Sequence, residues 1–270
     1  MNYESWVKRR FIGIDFSGSV SAGRSIWISE GVRDNRGLRI LDCRAAADLE
    51  DSGRDRDIAL KALKQFICRQ ENAVVGLDFP FSLPAQLLAE ESWADFIRSF
   101  PALYDSPDLF RKSCFEAGGG RELKRITDHD SRAPFSPYNL RLYRQTYYGI
   151  RELLSPLVAN KAVSVLPMQE GAAGRPWLIE ICPASYLKRE RLSMSYKGRT
   201  DEKYRARLSI INFLESERGL QFEVPGLREK VLSNFGGDAL DSIIAALCAL
   251  RAGRLLPAAE EAGPEGFIFY

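Results

Sequence analysis

Residues 11–18 read FIGIDFSG: Phe11, Ile12, Ile14 and Phe16 surround a single acid, Asp15, and Ser17-Gly18 close the stretch. A β-branched and aromatic run ending in Ser-Gly predicts a buried strand. Strands covered on both faces are nearly all apolar, so a carboxylate on one requires a partner. Near the C-terminal end of a central strand, where a ligand crevice opens, that partner is commonly a metal or a substrate. Residues 73–84, AVVGLDFPFSLP, repeat the arrangement, with Asp78 before a Phe-Pro turn. If the two strands lie side by side, their acids meet.

The segments between and after these strands predict an α/β fold. Arg24–Val32 and Gly37–Arg44 read as strands joined by the turn Asp34-Asn35-Arg36-Gly37. Together with the first strand they predict an antiparallel meander. Asp55–Gln70 has helical spacing, with Ile58, Leu63, Phe66 and Ile67 expected inward. That helix can return the Asp78 strand parallel to the first. Leu83–Phe100 and Asn139–Val158 predict helices, and residues 101–137, with three consecutive glycines, predict a partly ordered insertion or lid. Ala162–Met168 and Trp177–Cys182 predict further strands, Pro183–Leu192, Lys203–Glu217 and Gly237–Arg251 helices, and Gly266–Tyr270 an edge strand. No repeat or linker divides the chain, which predicts one domain with an insertion at about 84–160.

Composition narrows the chemistry. A chain of 270 residues, 45% hydrophobic with mean hydropathy −0.23, can bury a sizeable core. The net charge of +2 leaves any polyanion contact to a local patch. The five cysteines are scattered, with no CxxC pair, which argues against a zinc knuckle or a disulfide framework. No apolar run approaches membrane-spanning length, so a reducing cytoplasmic setting is expected, with no membrane and no obligate protein partner. The only histidine is His129, and no GxSxG elbow occurs. Triads and histidine-rich metal sites are therefore disfavoured, and chemistry is expected to rest on carboxylates.

Further acids lie in apolar context. Glu180 sits inside WLIEICP, where Lys188 or Arg189 could pair with it. Asp238 and Asp241 share a helix face at i and i+3, an arrangement that also caps helix starts. Ala245, Ala249 and Ala252 continue from Asp241 as a small-residue track that would let the helix approach a sheet. Lys188–Arg207 carries eight basic against three acidic side chains, with Tyr186, Tyr196 and Tyr204 interleaved. Such a stretch suits phosphate contact and base stacking, although a solvated helix face explains it equally well. Residues 18–25, GSVSAGRS, approach a phosphate-binding loop with Arg in place of Lys, but a strand pattern follows where that loop must open a helix.

Taken in order, GID at Gly13–Asp15, LDFPFSLP at Leu77–Pro84, KRITD at Lys124–Asp128, EICPASYL at Glu180–Leu187, YK at Tyr196-Lys197 and DALDSIIAAL at Asp238–Leu247 resemble the motifs of domain-of-unknown-function family 429 (DUF429), predicted nucleases of ribonuclease H-like fold. The start of the last helix is similar to that of RuvC-type Holliday-junction resolvases. The resemblance implies Asp15, Asp78 and Asp241 as metal ligands and catalytic residues, with Glu180 and Asp238 as further candidates.

The expectation is thus an α/β, ribonuclease H-like mixed sheet with helices on both faces and a helical or loop insertion. Its function would be phosphodiester hydrolysis of DNA or RNA through a two-metal carboxylate site. Mg²⁺ or Mn²⁺ suits the oxygen ligands. Lys197, Arg199 and Arg125 would contact substrate. The alternatives are an actin-like or sugar-kinase-like nucleotide phosphotransferase, which would normally duplicate the core, and a non-catalytic nucleic-acid-binding protein.

Overall fold

The FIGIDFSG stretch supplies β1 (Arg10–Asp15), at the centre of an eight-stranded mixed sheet in the computed structural model, which describes residues 3–90, 92–257 and 262–270. The other strands are β2 (Trp27–Arg33), β3 (Leu38–Ala45), β4 (Ala73–Leu77), β5 (Ser164–Val165), β6 (Trp177–Ile181), β7 (Gln221–Phe222) and β8 (Ile268–Phe269). The order across the sheet is β5-β6-β4-β1-β2-β3-β7, and β8 also pairs with β6. β1, β2 and β3 form the expected antiparallel meander. Asp34 closes its first hairpin: its Oδ1 accepts from the Arg36 and Gly37 amides, fixing the turn. β4 then lies parallel to β1, and β6 parallel to β4.

Strand parity assigns the two faces. On β1, Ile12, Ile14 and Phe16 belong to one hydrophobic cluster, whereas Phe11 belongs to the other. On β4, Val75 and Leu77 join the first cluster and Val74 the second. Asp15 and Asp78 therefore emerge with Gly13 and Gly76, on the face covered by the Asp238–Ala252 helix. That helix lies very close to the sheet. A Cβ on Gly13 would stand 1.9 Å from the Ser242 carbonyl oxygen and 2.2 Å from the Ala246 nitrogen, and one on Gly76 2.8 Å from the Ala245 oxygen. The small-residue track thus meets glycines on two adjacent strands.

The opposite face carries a helical layer. It includes Arg56–Cys68, capped by the Asp55 carboxylate, and the helices of the predicted insertion. Residues 101–137 are more ordered than the sequence pattern implies. They contain helices Pro107–Ala117 and Ile126–Asp130, the first opened by the Ser106 hydroxyl accepting from the Leu109 amide. The helix expected over Leu83–Phe100 begins only at Trp93 and runs to Leu103. Asn139–Val158 is helical from Tyr143, with a π-helical stretch Gly149–Leu154 where Gly149 meets the Phe79 ring. Ile58, expected inward, is exposed, and so is Leu140 ahead of the helical part of Asn139–Val158. The strand expected over Ala162–Met168 contracts to β5. Residues 18–25 hold only a four-residue helix, Ala22–Ser25, before β2.

Candidate active site

Parallel pairing sets Gly13 beside Gly76 and Ile14 beside Leu77, and the Asp78 amide donates to the Ile14 carbonyl at 3.0 Å. The ladder therefore continues to the strand ends, where Asp15 and Asp78 stand as neighbours on one face. Each side chain feels the other electrostatically. Both are driven toward the protonated form. Burial, with the Asp241 charge added, raises the Asp15 carboxyl well above the usual carboxylate range. The same two causes push Asp78 up to about 7, with Lys197 opposing them.

Asp241 reaches this pair from the first turn of the Asp238–Ala252 helix. Gly237, at φ 81°, precedes the helix and packs against the Tyr196 ring, so it needs both a left-handed backbone and a missing side chain. The Ala239 amide donates to Asn234 Oδ1, and neither Asp238 nor Asp241 is needed as a side-chain cap. Asp241 is instead spent on the site. Its Oδ1 accepts from the Tyr196 hydroxyl at 2.5 Å, and its Oδ2 lies 2.7 Å from Lys197 Nζ. Asp238, half-buried one turn away, is raised by burial and by Asp241, against the pull of Lys197.

Tyr196 and Lys197 arrive on the loop between helices Pro183–Arg189 and Asp201–Arg218. Arg207 fixes that loop from inside, donating to the Tyr196 and Gly198 carbonyls at 2.6 and 3.0 Å and to the Leu232 carbonyl at 2.8 Å. Burial alone would lower the Lys197 ammonium, but Asp241 and Asp15 outweigh it and keep the lysine charged. Lys197 is thus the cation of a carboxylate cluster assembled from three distant segments.

Two expectations need correction. Glu180 is not part of the cluster: it pairs in register with Leu77, on the first-cluster face, opposite Asp15 and Asp78. There it meets neither Lys188 nor Arg189 but Arg125, at 2.5 and 2.8 Å, while the Phe81 amide donates to its Oε2. Its oxygens are therefore occupied. Arg125 is not a free substrate contact either. It is fully buried, and its other donors go to Asp128 at 2.8 and 3.1 Å and to the Glu265 carbonyl at 3.2 Å. The KRITD and EICP stretches meet as one internal ion cluster, which welds the 121–131 loop to the end of β6.

The basic stretch is likewise divided in its roles. Arg207 is internal, Lys188 donates to the Arg132 carbonyl, and Arg199 is exposed with its guanidinium 4.8 Å from the Phe235 ring centre. Only Tyr196 and Lys197 of this segment reach the carboxylates. Tyr196 had a signal in the sequence, adjacency to Lys197, but no feature there pointed it at Asp241. Gln145 had none; its side-chain amide donates to the Asp78 carbonyl and helps fix that strand end.

A cavity of about 240 Å³ opens at the cluster, lined by Asp78, Asp241, Tyr196 and Lys197 and by Phe79, Phe135 and Pro183, and reaching the Arg125–Glu180 pair as well. Among the described residues, no three His, Cys, Asp or Glu side chains form a ready-made metal cage. The donor chemistry of Asp15, Asp78 and Asp241 nevertheless suits a hard divalent cation: carboxylate oxygens on one face, with more negative charge than Lys197 alone offsets. The chain matches no protein-family model, no curated protein and no solved structure. Among the described residues, no helix is long and apolar enough to cross a membrane.

Proposed function

We propose that the chain is a metal-dependent nuclease of ribonuclease H-like fold, a phosphodiester hydrolase acting on nucleic acid. The observation that carries this reading is the convergence of Asp15, Asp78 and Asp241, from two strand ends and one helix start, on one face of the sheet edge. The strand order β3-β2-β1-β4-β6, antiparallel only at β2, supports the fold assignment, as does the resemblance to domain-of-unknown-function family 429. Among the described residues the eight strands form one sheet, without the duplicated core expected of an actin-like or sugar-kinase-like phosphotransferase.

In this reading Asp15, Asp78 and Asp241 hold Mg²⁺ or Mn²⁺, with Asp238 close enough to contribute charge. Divalent ions in such a set supply water activation and charge stabilisation at the leaving oxygen. The protein's own residues do the positioning. Tyr196 fixes the Asp241 carboxylate by hydrogen bonding one oxygen, leaving its rotamer little freedom. Lys197, half-exposed at the mouth, pairs with Asp241 at rest and can turn its ammonium to a substrate phosphate. Gln145 and the Ile14 carbonyl hold the backbone at Asp78, keeping its side chain beside Asp15.

The test is cleavage of end-labelled DNA and RNA with Mg²⁺, with Mn²⁺ and with chelator. Wild-type protein should cut in either metal and not in chelator, and Asp15→Asn should lose at least a hundredfold in rate. Equal cutting by Asp15→Asn, or cutting that survives chelation, would refute the carboxylate site.

A further inference from the structure

The cavity beside the carboxylates is lined by two unlike sets of side chains: charged groups, Asp78, Asp241 and Lys197 together with the Arg125, Asp128 and Glu180 cluster, and the apolar Phe79, Phe135, Pro183 and Ala184. Arg141 also lines it. Its guanidinium lies 5.5 Å from the Phe135 ring centre, and among the described residues it makes no ion pair. The two other cations of the lining are both committed, Lys197 to Asp241 and Arg125 to Glu180 and Asp128. An uncommitted guanidinium next to an aromatic ring offers two flat, polarisable surfaces in the lining of the cavity.

Size restricts what can enter. Pockets for drug-sized ligands commonly measure about 300–1,000 Å³. At about 240 Å³ this cavity has room for one nucleoside and little more. Bases inside an intact duplex are stacked and cannot reach such a slot, whereas a single-stranded, terminal or extruded base can. From these observations we infer that the cavity is a one-nucleotide pocket, so that the substrate class is unpaired nucleic acid. The base enters between Phe135, Arg141 and Ala184, and its phosphate is presented to Lys197 and the carboxylates. This rests on the nuclease reading for the phosphate end, but the base end depends only on the pocket.

Two measurements separate the claims. The first is saturation-transfer NMR of adenosine with metal-free protein, comparing wild type with Arg141→Ala, at an exposed position, and Ala184→Phe, which fills the slot. Adenosine should bind wild type, and binding should fall roughly tenfold or more in both variants, the scale of one lost stacking contact. The second is the initial rate of cleavage in Mn²⁺ of a labelled single strand, the same sequence as a full duplex, and that duplex with a three-base mismatched bubble. The single strand and the bubble should be cut at least tenfold faster than the duplex, and Ala184→Phe should erase the difference.

Equal rates on all three substrates, with Ala184→Phe unaltered, overturn the pocket while leaving the nuclease reading standing. Cleavage of none, with adenosine bound by wild type and lost in Ala184→Phe, upholds the pocket and overturns the nuclease. Neither cleavage nor adenosine binding overturns both.

Discussion

Lys197 Nζ lies 2.7 Å from Asp241 Oδ2, joining a half-exposed cation to a carboxylate only 4% exposed. The contact bridges the loop before the Asp201–Arg218 helix and the first turn of the last helix, and it brings positive charge to a cluster that otherwise repels itself. Removing it exposes that repulsion. Lys197→Met should lower the Tm of the metal-free protein, and Mn²⁺ should recover the loss. The Mn²⁺-induced rise in Tm should accordingly exceed that of wild type, because bound ligand stabilises the folded state by mass action and no lysine competes for Asp241. Differential scanning fluorimetry with and without Mn²⁺ reads both quantities.

A pH dependence follows from the same cluster. Burial and like charge raise Asp15, and raise Asp78 from 3.8 to about 7, so folding of the metal-free protein takes up protons. The stabilisation is complete below the unfolded value near 4 and is lost as pH rises through about 7. Asp78→Asn should therefore stabilise the metal-free protein at pH 8 by roughly 1–2 kcal/mol, a few degrees in Tm, and change it little at pH 4. The same substitution should abolish metal-dependent cleavage. A Tm gain of equal size at both pH values would show that the carboxyl is not the titrating group.

The site was legible in the sequence where strand parity was legible. FIGIDFSG and AVVGLDFP each place an acid at an apolar strand end, and the glycines two residues earlier fall on the same face. Glu180 misled because WLIEI is apolar on both sides of the acid, and nothing local says which face it takes; the β4–β6 register decides that. Arg125 was unreadable for a related reason, since its partner Glu180 lies 55 residues away. The insertion carries its own caps: Ser106-Pro107 is a strong helix start, although the glycines at 118–120 break the helical pattern that follows. The π-helical turn at Gly149 answers a tertiary contact, the Phe79 ring, which periodicity cannot carry.

The Arg125 cluster makes a stability prediction independent of function. Arg125→Ala leaves Glu180 and Asp128 buried without their shared cation, a loss on the scale of about 3–5 kcal/mol. Urea unfolding should show that loss as a lower midpoint. If Arg125 instead contacted substrate from an exposed position, stability would scarcely change and only binding would weaken.

Gly13 and Gly76 differ in what faces them, and the difference can be measured. A Cβ at Gly13 meets only backbone of the last helix, at 1.9 and 2.2 Å, whereas the nearest atom at Gly76 is the Ile181 side chain at 2.7 Å. Gly13→Ala must push the helix and Asp241 away. It should destabilise the protein more than Gly76→Ala does and should weaken Mn²⁺ binding even in the fraction that stays folded. Comparison of both variants by chemical denaturation and Mn²⁺ titration checks the ranking.

The central claim is that the three converging carboxylates hold divalent cations. Isothermal titration of Mn²⁺ into wild-type protein and into Asp15→Asn at pH 8 addresses it directly, before any substrate is chosen. Wild type should give a saturable isotherm, and Asp15→Asn should weaken it at least tenfold while remaining folded by circular dichroism. Absence of Mn²⁺ binding in the wild type, or identical isotherms for the two folded proteins, would contradict the account.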